Sequence, residues 1–191
     1  MKNPDVRQVT DSRVLAAMAH PLRRRLMDVL KVHGPATVGM LAERTDQAPA
    51  NVSHHLRVLA AGELVTEAPD LARDRRERWW RLVDRGVRWS DSDFDADPAA
   101  RAVADAATSL NLDRHVALAR AWHATDESTR AVWDDSPFST DKWLHLTPEE
   151  LAELSHEIVG LLDRWADRQV PDDGRDRQPV FLFVHGVPAR P

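Results

Sequence analysis

The stretch from Ala48 to Gly62 constrains this chain most, because it combines one apolar helical face with an outer face of polar and basic side chains. At about 100° per residue for an α-helix, Val52, Leu56 and Leu59 fall on one side. The other side carries hydrogen-bonding groups that suit the edges of DNA bases, so we predict a helix that enters a DNA groove. An ordinary amphipathic helix with a solvated side remains the alternative from this segment alone. The predicted DNA-facing residues on this helix are Asn51, Ser53, His54 and Arg57.

The segment before this stretch predicts three short helices in close succession. Asp11 and Ser12 supply acceptors for the first turn of one helix. Pro21 suits the first position of a second helix, because its missing N–H has no intrahelical partner there. Thr37 begins a third helix after the break at Gly34-Pro35.

After Gly62 the pattern changes from a helical period to one typical of strands. Glu63–Glu67 and Arg76–Val83 bracket a polar loop and predict a β-hairpin. Trp79 and Trp80 are adjacent, so alternation predicts that one faces the core and the other the opposite side. Three helices followed by such a hairpin predict a winged helix-turn-helix. The arginines expected to contact DNA from the wing are Arg73, Arg75 and Arg76, with Arg23 and Arg24 as further phosphate contacts.

The charge of the chain is divided unevenly between its two halves. Residues 1–90 contain 16 Lys and Arg against 11 Asp and Glu, whereas residues 91–191 contain 10 against 20. Such asymmetry favours a nucleic-acid-binding half joined to one that stays away from phosphates. A solvated acidic helical surface would explain the second half equally well.

The second half predicts long helices and little sheet. Apolar residues recur at helical spacing from Ala99 to about Trp122, and Pro98 suits the first turn of that helix. Thr147 and Glu150 form a capping-box pattern at the start of a helix that runs to about Arg168. The segment between Trp122 and Trp133 is expected to be irregular. The run from Pro179 to Val184 predicts a short strand, or an arm packed on a partner subunit.

These patterns predict a mainly α protein with a winged helix-turn-helix domain and a helical extension. The extension is expected to make the dimer. Its aromatic residues are compatible with either an effector pocket or plain core. The candidate pocket residues are Trp89, Trp122, Trp133, Phe138 and Trp143. The predicted divisions are a DNA-binding domain at 1–90, a linker at 91–98, a dimerisation and effector region at 99–170, and a C-terminal linker with a strand or arm at 171–191.

Several motifs, taken together and in this order, resemble the ArsR-type transcriptional regulators over about residues 11–85. The resemblance implies a homodimer that binds double-stranded DNA at an inverted-repeat operator, usually as a repressor, with the fourth helix in the major groove. It also implies DNA contacts at the helix and wing residues named above. The motifs that carry it are Ala19–Leu26, Gly34–Thr37, Asn51–Leu59 and Leu64-Val65.

The chain departs from the ArsR-type pattern at both ends of the recognition helix. Ala48 stands where the family often has a serine cap, so capping falls to Asp46 or is weak. The glycine after the helix, Gly62, comes one place earlier than usual. Some longer ArsR-like proteins are similar to this chain over the second half as well, including the run Leu146–Leu151.

A metal site is not expected. The chain has no Cys, which excludes thiolate ligands and disulfides. One zinc-sensing subgroup of the family uses a His/Asp cluster on the helix after the wing, and a sensor of that type is an alternative function. Here the two histidines of the motif are eight residues apart, about 80° round a helix, and need not converge on one ion. The residues concerned are Asp113, His115, His123 and Glu127.

Other function classes find little support in the sequence. No phosphate loop, nucleophile elbow or His-x-x-x-His motif is present, so neither an enzyme nor a cofactor is expected. No apolar run approaches the roughly 20 residues of a membrane span, so a cytoplasmic protein without membrane contact is expected. A winged helix that binds protein instead of DNA is a second alternative, against which the Arg-rich wing argues. The operator, the identity of any small-molecule effector and the choice between repression and activation are not predicted.

Overall fold

A computed structural model describes residues 6–74 and 77–190 of the chain. It divides the chain into two compact units, residues 1–114 and residues 115–191. Helices dominate both units, which confirms the predicted mainly α class. No helix within the described ranges has the length and apolarity needed to cross a membrane.

The first unit contains helices at each position that the sequence predicted. Asp11 caps the first helix by accepting a hydrogen bond from the Arg13 N–H at 2.9 Å, and Thr37 caps the third through the Met40 N–H. Pro21 occupies the first position of the second helix, as expected. The helices are α1 (Ser12–Met18), α2 (Pro21–His33), α3 (Val38–Thr45), α4 (Pro49–Ala61) and α5 (Pro98–His123), whose last turns belong to the second unit.

Two small sheets complete the first unit. The strands are β1 (Val6–Gln8), β2 (Ala36–Thr37), β3 (Val65–Glu67), β4 (Trp79–Leu82) and β5 (Gly86–Arg88). One sheet has the antiparallel order β2-β4-β3, and β1 pairs with β5 in parallel. Trp80 is 6% exposed and lies opposite the buried Ala36, whereas Trp79 is half-buried. The predicted alternation of the two tryptophans is therefore correct, and the hairpin forms the wing.

The core of the first unit is built mainly from leucines contributed by all four short helices. These leucines are 0% exposed, and burial of a leucine side chain stabilises a fold by roughly 1.5–3 kcal/mol. The fully buried leucines are Leu15, Leu26, Leu41, Leu56 and Leu59.

The segment predicted as a linker at 91–98 contains a 3-10 helix, Asp91–Phe94. Phe94 is 3% exposed and belongs to the core, together with Ala104 and Ala107 of α5. The first turns of α5 thus pack on the winged helix. How the chain divides into independently folding domains stays a prediction.

The second unit contains the end of α5, α6 (Glu127–Trp133) and α7 (Pro148–Ala166). The segment between Trp122 and Trp133 was predicted to be irregular, and this was wrong for Glu127–Trp133, which form α6. Asp126 caps α6, and hydrogen bonds from the Ser128 hydroxyl and from Thr129 lower the pKa of Asp126 to about 2. The capping box of α7 is confirmed. The Thr147 N–H donates to Glu150 Oε2 at 2.7 Å, and the Glu150 N–H donates to Thr147 Oγ1 at 3.2 Å.

The run Pro179–Val184 forms no strand, and the prediction of one was wrong. A strand needs a hydrogen-bonded neighbour, and this segment has none within the described residues. Phe181 and Phe183 instead contact the ring of His115, with centroids 5.4 and 5.3 Å away. No residue described between 115 and 190 is fully buried, so this unit presents much apolar surface.

We expect the substitution Leu59→Ala to lower the free energy of unfolding by about 2–5 kcal/mol, because it leaves a cavity among fully buried side chains. Chemical denaturation followed by circular dichroism measures the change. Leu71→Ala is the matched control, since Leu71 is 40% exposed. Equal losses for the two variants would contradict the placement of Leu59 in the core.

Candidate nucleic-acid interface

The outer helix of the candidate interface, α4, is held against the rest of the first unit by its inner face. Val52, Leu56 and Leu59 are 0% exposed, and α4 packs on α1, α2, α3 and β3. The turn from α3 to α4 is three residues long, and Asp46 adopts a left-handed conformation there with φ 53°. A short turn between two packed helices is the helix-turn-helix arrangement.

The outer face of α4 is open to solvent at the positions predicted to face DNA. Asn51, His54 and Arg57 are exposed, and Ser53 is half-buried beside them. The Asn51 side-chain amide donates to Gln47 Oε1 at 3.0 Å, which orders two polar groups along this face. The face thus presents an amide, an imidazole and a guanidinium group on a rigid element. Their roles in binding DNA stay a prediction.

The N-terminus of α4 has no side-chain cap. Ala48 is at the cap position with an extended backbone, φ −64° and ψ 138°, and can offer no acceptor. Asp46 does not replace it, because its backbone ends α3 by hydrogen bonding to Ala42 and Glu43. Of the two capping alternatives, the weak cap is therefore the one observed. Exposed N–H groups at this end of α4 are left to solvent or to an anion.

The wing carries a mixture of paired and exposed arginines. Arg73 is exposed, and its backbone N–H donates to Glu77 Oε2 at 2.9 Å. Arg78 and Arg81 pair with Glu67 and Asp70 at 3.6 and 3.4 Å. The predicted wing residues Arg75 and Arg76 lie outside the described residues.

Arg23 and Arg24, predicted as phosphate contacts, are half-buried and engaged within the chain. Arg23 donates to the carbonyls of Ala16 and Ala17 at the end of α1, where a cation also interacts favourably with the helix dipole. Arg24 donates to Asn111 of α5, and burial lowers its pKa. The phosphate contacts expected of these two arginines stay a prediction.

Two structural supports of α4 were missed in the sequence. Arg7 of β1 donates to the carbonyls of Gly62 and Glu63 at 3.3 and 3.1 Å, which ties down the C-terminal end of α4. No pattern links residues so far apart in the sequence. His55 is 8% exposed and lies on the inner face. Its angular position beside Leu59 on the helix was a signal that could have revealed this.

The predicted aromatic pocket stays a prediction. Trp89 belongs to the first unit, where its indole N–H donates to the Thr108 hydroxyl at 3.0 Å. In the second unit, Trp122 and Trp133 are half-buried, whereas Phe138 and Trp143 are 77% and 66% exposed.

No three His, Cys, Asp or Glu side chains within residues 6–74 and 77–190 meet in an arrangement that could hold a metal ion. His115 Nδ1 lies 3.3 Å from His185 Nε2, a contact that the sequence did not predict. The structure thus does not assemble the sensor-type set Asp113, His115, His123 and Glu127.

A family model described as a helix-turn-helix domain matches residues 18–68, the segment from the end of α1 to the end of β3. Residues 18–68 are a helix-turn-helix domain. The transcriptional repressor SdpR of Bacillus subtilis is 35% identical to this chain over 54 residues, which are 28% of this chain. The chain spans about 59% of the length of that repressor. The predicted helix-turn-helix is confirmed over residues 18–68.

The similarity to solved structures covers more of the chain than the helix-turn-helix domain does. One is the homodimeric winged helix-turn-helix DNA-binding domain of Mb0332 from Mycobacterium bovis, described as a possible ArsR-family regulator. It is 22% identical, covers 60% of this chain and 83% of its own, and has a TM-score of 0.36. Another, a possible transcriptional regulator for arsenical resistance, is 30% identical, covers 68% and 98%, and has a TM-score of 0.32. The helices α1–α4 and the β2-β4-β3 sheet of this chain themselves form the winged fold.

The uncapped start of the recognition helix leads to a stability prediction. We expect Ala48→Ser to raise the free energy of unfolding by about 0.5–1 kcal/mol, because a serine in this extended conformation can accept from a free N–H of the first turn. Thermal unfolding measures the change. Ala61→Ser, at the exposed last residue of the same helix, is the control and offers no cap. A gain at Ala61 as large as that at Ala48 would count against the missing cap.

Proposed function

We propose that this chain is a sequence-specific DNA-binding transcriptional regulator that acts as a homodimer on an inverted-repeat operator and represses transcription. The observation that carries the proposal is that α4, in a helix-turn-helix, exposes a polar face while its apolar face is buried. The 35% identical SdpR is a transcriptional repressor, which favours repression over activation.

The side chains of the outer face match the chemistry of base edges in the major groove. A guanidinium group such as that of Arg57 can bind guanine O6 and N7 together, and an amide such as that of Asn51 can bind adenine N6 and N7. His54 and Ser53 add donors or acceptors on the same face. In this arrangement α4 reads sequence, and the fixed geometry of a packed helix limits the entropy lost on binding.

The wing supplies the contacts that do not depend on sequence. Arg73 is exposed there, and the predicted contacts Arg75 and Arg76 adjoin it in the chain. Guanidinium groups at this position would neutralise phosphates beside the groove and release counterions. The net positive charge of residues 1–90 favours approach of this half to DNA.

One observation supports a homodimer. The helix α5 leaves Leu110, Leu112 and Leu118 between 40% and 47% exposed, and α7 leaves Trp165 59% exposed. Apolar side chains exposed in such number on helices are typical of surfaces that a partner covers. A two-fold dimer would place two copies of α4 about one DNA turn, roughly 34–36 Å, apart.

A DNA-binding regulator acts where the DNA is and needs no catalytic site. The protein would act in the cytoplasm, by binding alone and without catalysing a reaction. An unidentified small-molecule effector at the aromatic residues of the second unit stays a prediction. The exposure of Phe138 and Trp143 means that such a pocket would need closing by another surface.

Selection of bound duplexes from a random library, with the full chain at physiological salt, tests the proposal. We expect enrichment of a two-fold symmetric consensus, because two copies of α4 would read related half-sites. An asymmetric consensus would contradict the homodimer. Absence of any enrichment would contradict sequence-specific binding.

Substitution of two arginines should separate base reading from phosphate binding. We expect Arg57→Ala to weaken binding to the selected consensus by roughly 1–3 kcal/mol and to change binding to random duplex much less. Arg73→Ala should weaken both complexes alike and reduce the salt slope of log K by about 1. Fluorescence anisotropy at several salt concentrations measures both effects.

Arg120→Ala is the matched control, because Arg120 is an exposed arginine of the second unit outside the proposed interface. It removes the same charge and should leave both affinities unchanged. Equal loss on consensus and random DNA from Arg57→Ala would contradict the assignment of Arg57 as a base reader.

A further inference from the structure

The buried side of the recognition helix contains an imidazole in an unusual setting. His55 is 8% exposed on α4, and its ring lies against that of His20, with centroids 4.4 Å apart. His54, on the outer face, contacts His55 edge-on at 5.3 Å. His20 stands at the junction of α1 and α2, so the two rings join that junction to the helix proposed to read DNA.

The hydrogen bonding of His20 requires its Nδ1 to be an acceptor. His20 caps α2 through this atom, which accepts from the Leu22 N–H at 3.2 Å. In a neutral ring the proton is then on Nε2. Protonation of Nδ1 would turn the acceptor into a donor, remove the cap and place a positive charge at the positive end of the α2 dipole.

The surroundings of His55 also disfavour a charge. Its Nδ1 is buried and has no hydrogen-bond partner among the described residues. The charged or titratable groups that act on it are His20, Arg23 and His54, none of which is a carboxylate. Burial, and then the electrostatic effect of these groups, lower the pKa of His55 from its ordinary value of 6.5. Burial and Arg23 lower the pKa of His20 in the same direction.

We propose that His20 and His55 are positioning residues that form a proton-sensitive latch, a ring contact that depends on both imidazoles being neutral. The latch holds α4 in its packed position when both rings are neutral and lets α4 move from that position when either ring is protonated. The proposal rests on the proposed DNA-binding function for its readout on DNA. Mild acid would weaken specific binding without any change in the side chains that touch the bases.

The sign of the effect follows from the neutral form being favoured in the folded protein. The stabilising contribution of the pair is present above the ordinary His pKa of 6.5 and is lost as the pH falls below that value.

The test compares specific binding of the full chain between about pH 8 and about pH 5.5 at constant ionic strength, with duplexes carrying the selected consensus or random sequence. For the unmodified chain we expect affinity for the consensus to fall severalfold over this range, because either protonated ring would release α4. The double variant His20→Asn/His55→Leu should lose this dependence, because asparagine keeps the cap acceptor and neither new side chain titrates. His33→Gln is the control, since His33 is an exposed histidine of α2 outside the ring contacts.

A flat or rising affinity of the unmodified chain in acid would overturn the latch, as would an equal loss in the double variant. Ring-proton NMR of the unmodified chain without DNA provides a second arm that needs no variant to fold. His20 and His55 should stay neutral below the ordinary histidine pKa of 6.5, and the amide signals of α4 should shift as the two rings titrate. Titration of both rings at or above that ordinary value, or an unresponsive α4, would overturn the proposal. If no consensus is bound even at about pH 8, the proposed function fails and the NMR arm alone decides the latch.

Discussion

The burial of one face of α4 is the interaction on which the rest of the first unit depends. Val52, Leu56 and Leu59 exclude water completely, and the neighbouring helices and β3 converge on them. Because these apolar contacts fix the rotation of α4 about its axis, they also determine which side chains face outward. The position of Arg57 is thus set by residues on the opposite side of the helix. Among the described residues of α4, His55 is the one polar residue buried on that side.

Much of this unit could be predicted because its signals are local. The regular spacing of apolar residues in the stretch from Ala48 to Gly62 indicated α4 almost to its ends. The alternation at Trp79 and Trp80 predicted opposite faces but not which ring is buried. That choice depends on the register of β4 with β2, where Ala36 leaves room for Trp80. Registers between distant segments carry no local signal.

The second half shows where sequence reasoning fails. Residues 179–184 form a continuous apolar run of the length of a strand, and the ring of Phe183 contacts the rings of Phe181 and His185, two positions away on either side. An apolar run can indicate an extended backbone, whereas a strand also requires a neighbour for its N–H and C=O groups. In the first half, Arg23 and Arg24 donate to α1 and α5, contacts that the sequence did not indicate, and their contacts with phosphate stay a prediction.

The pairing of β1 with β5 has a consequence for the ends of the winged-helix segment. Val6 lies opposite Gly86, and the Val9 N–H donates to the Arg88 carbonyl at 2.8 Å, so β1 covers one edge of β5. An uncovered strand edge is a template for pairing with another chain. A shortened form that begins after Val9 would expose this edge and lose a buried valine as well. The few residues of β1 therefore satisfy backbone groups of β5 that would otherwise be left to solvent, a role separate from any contact with DNA.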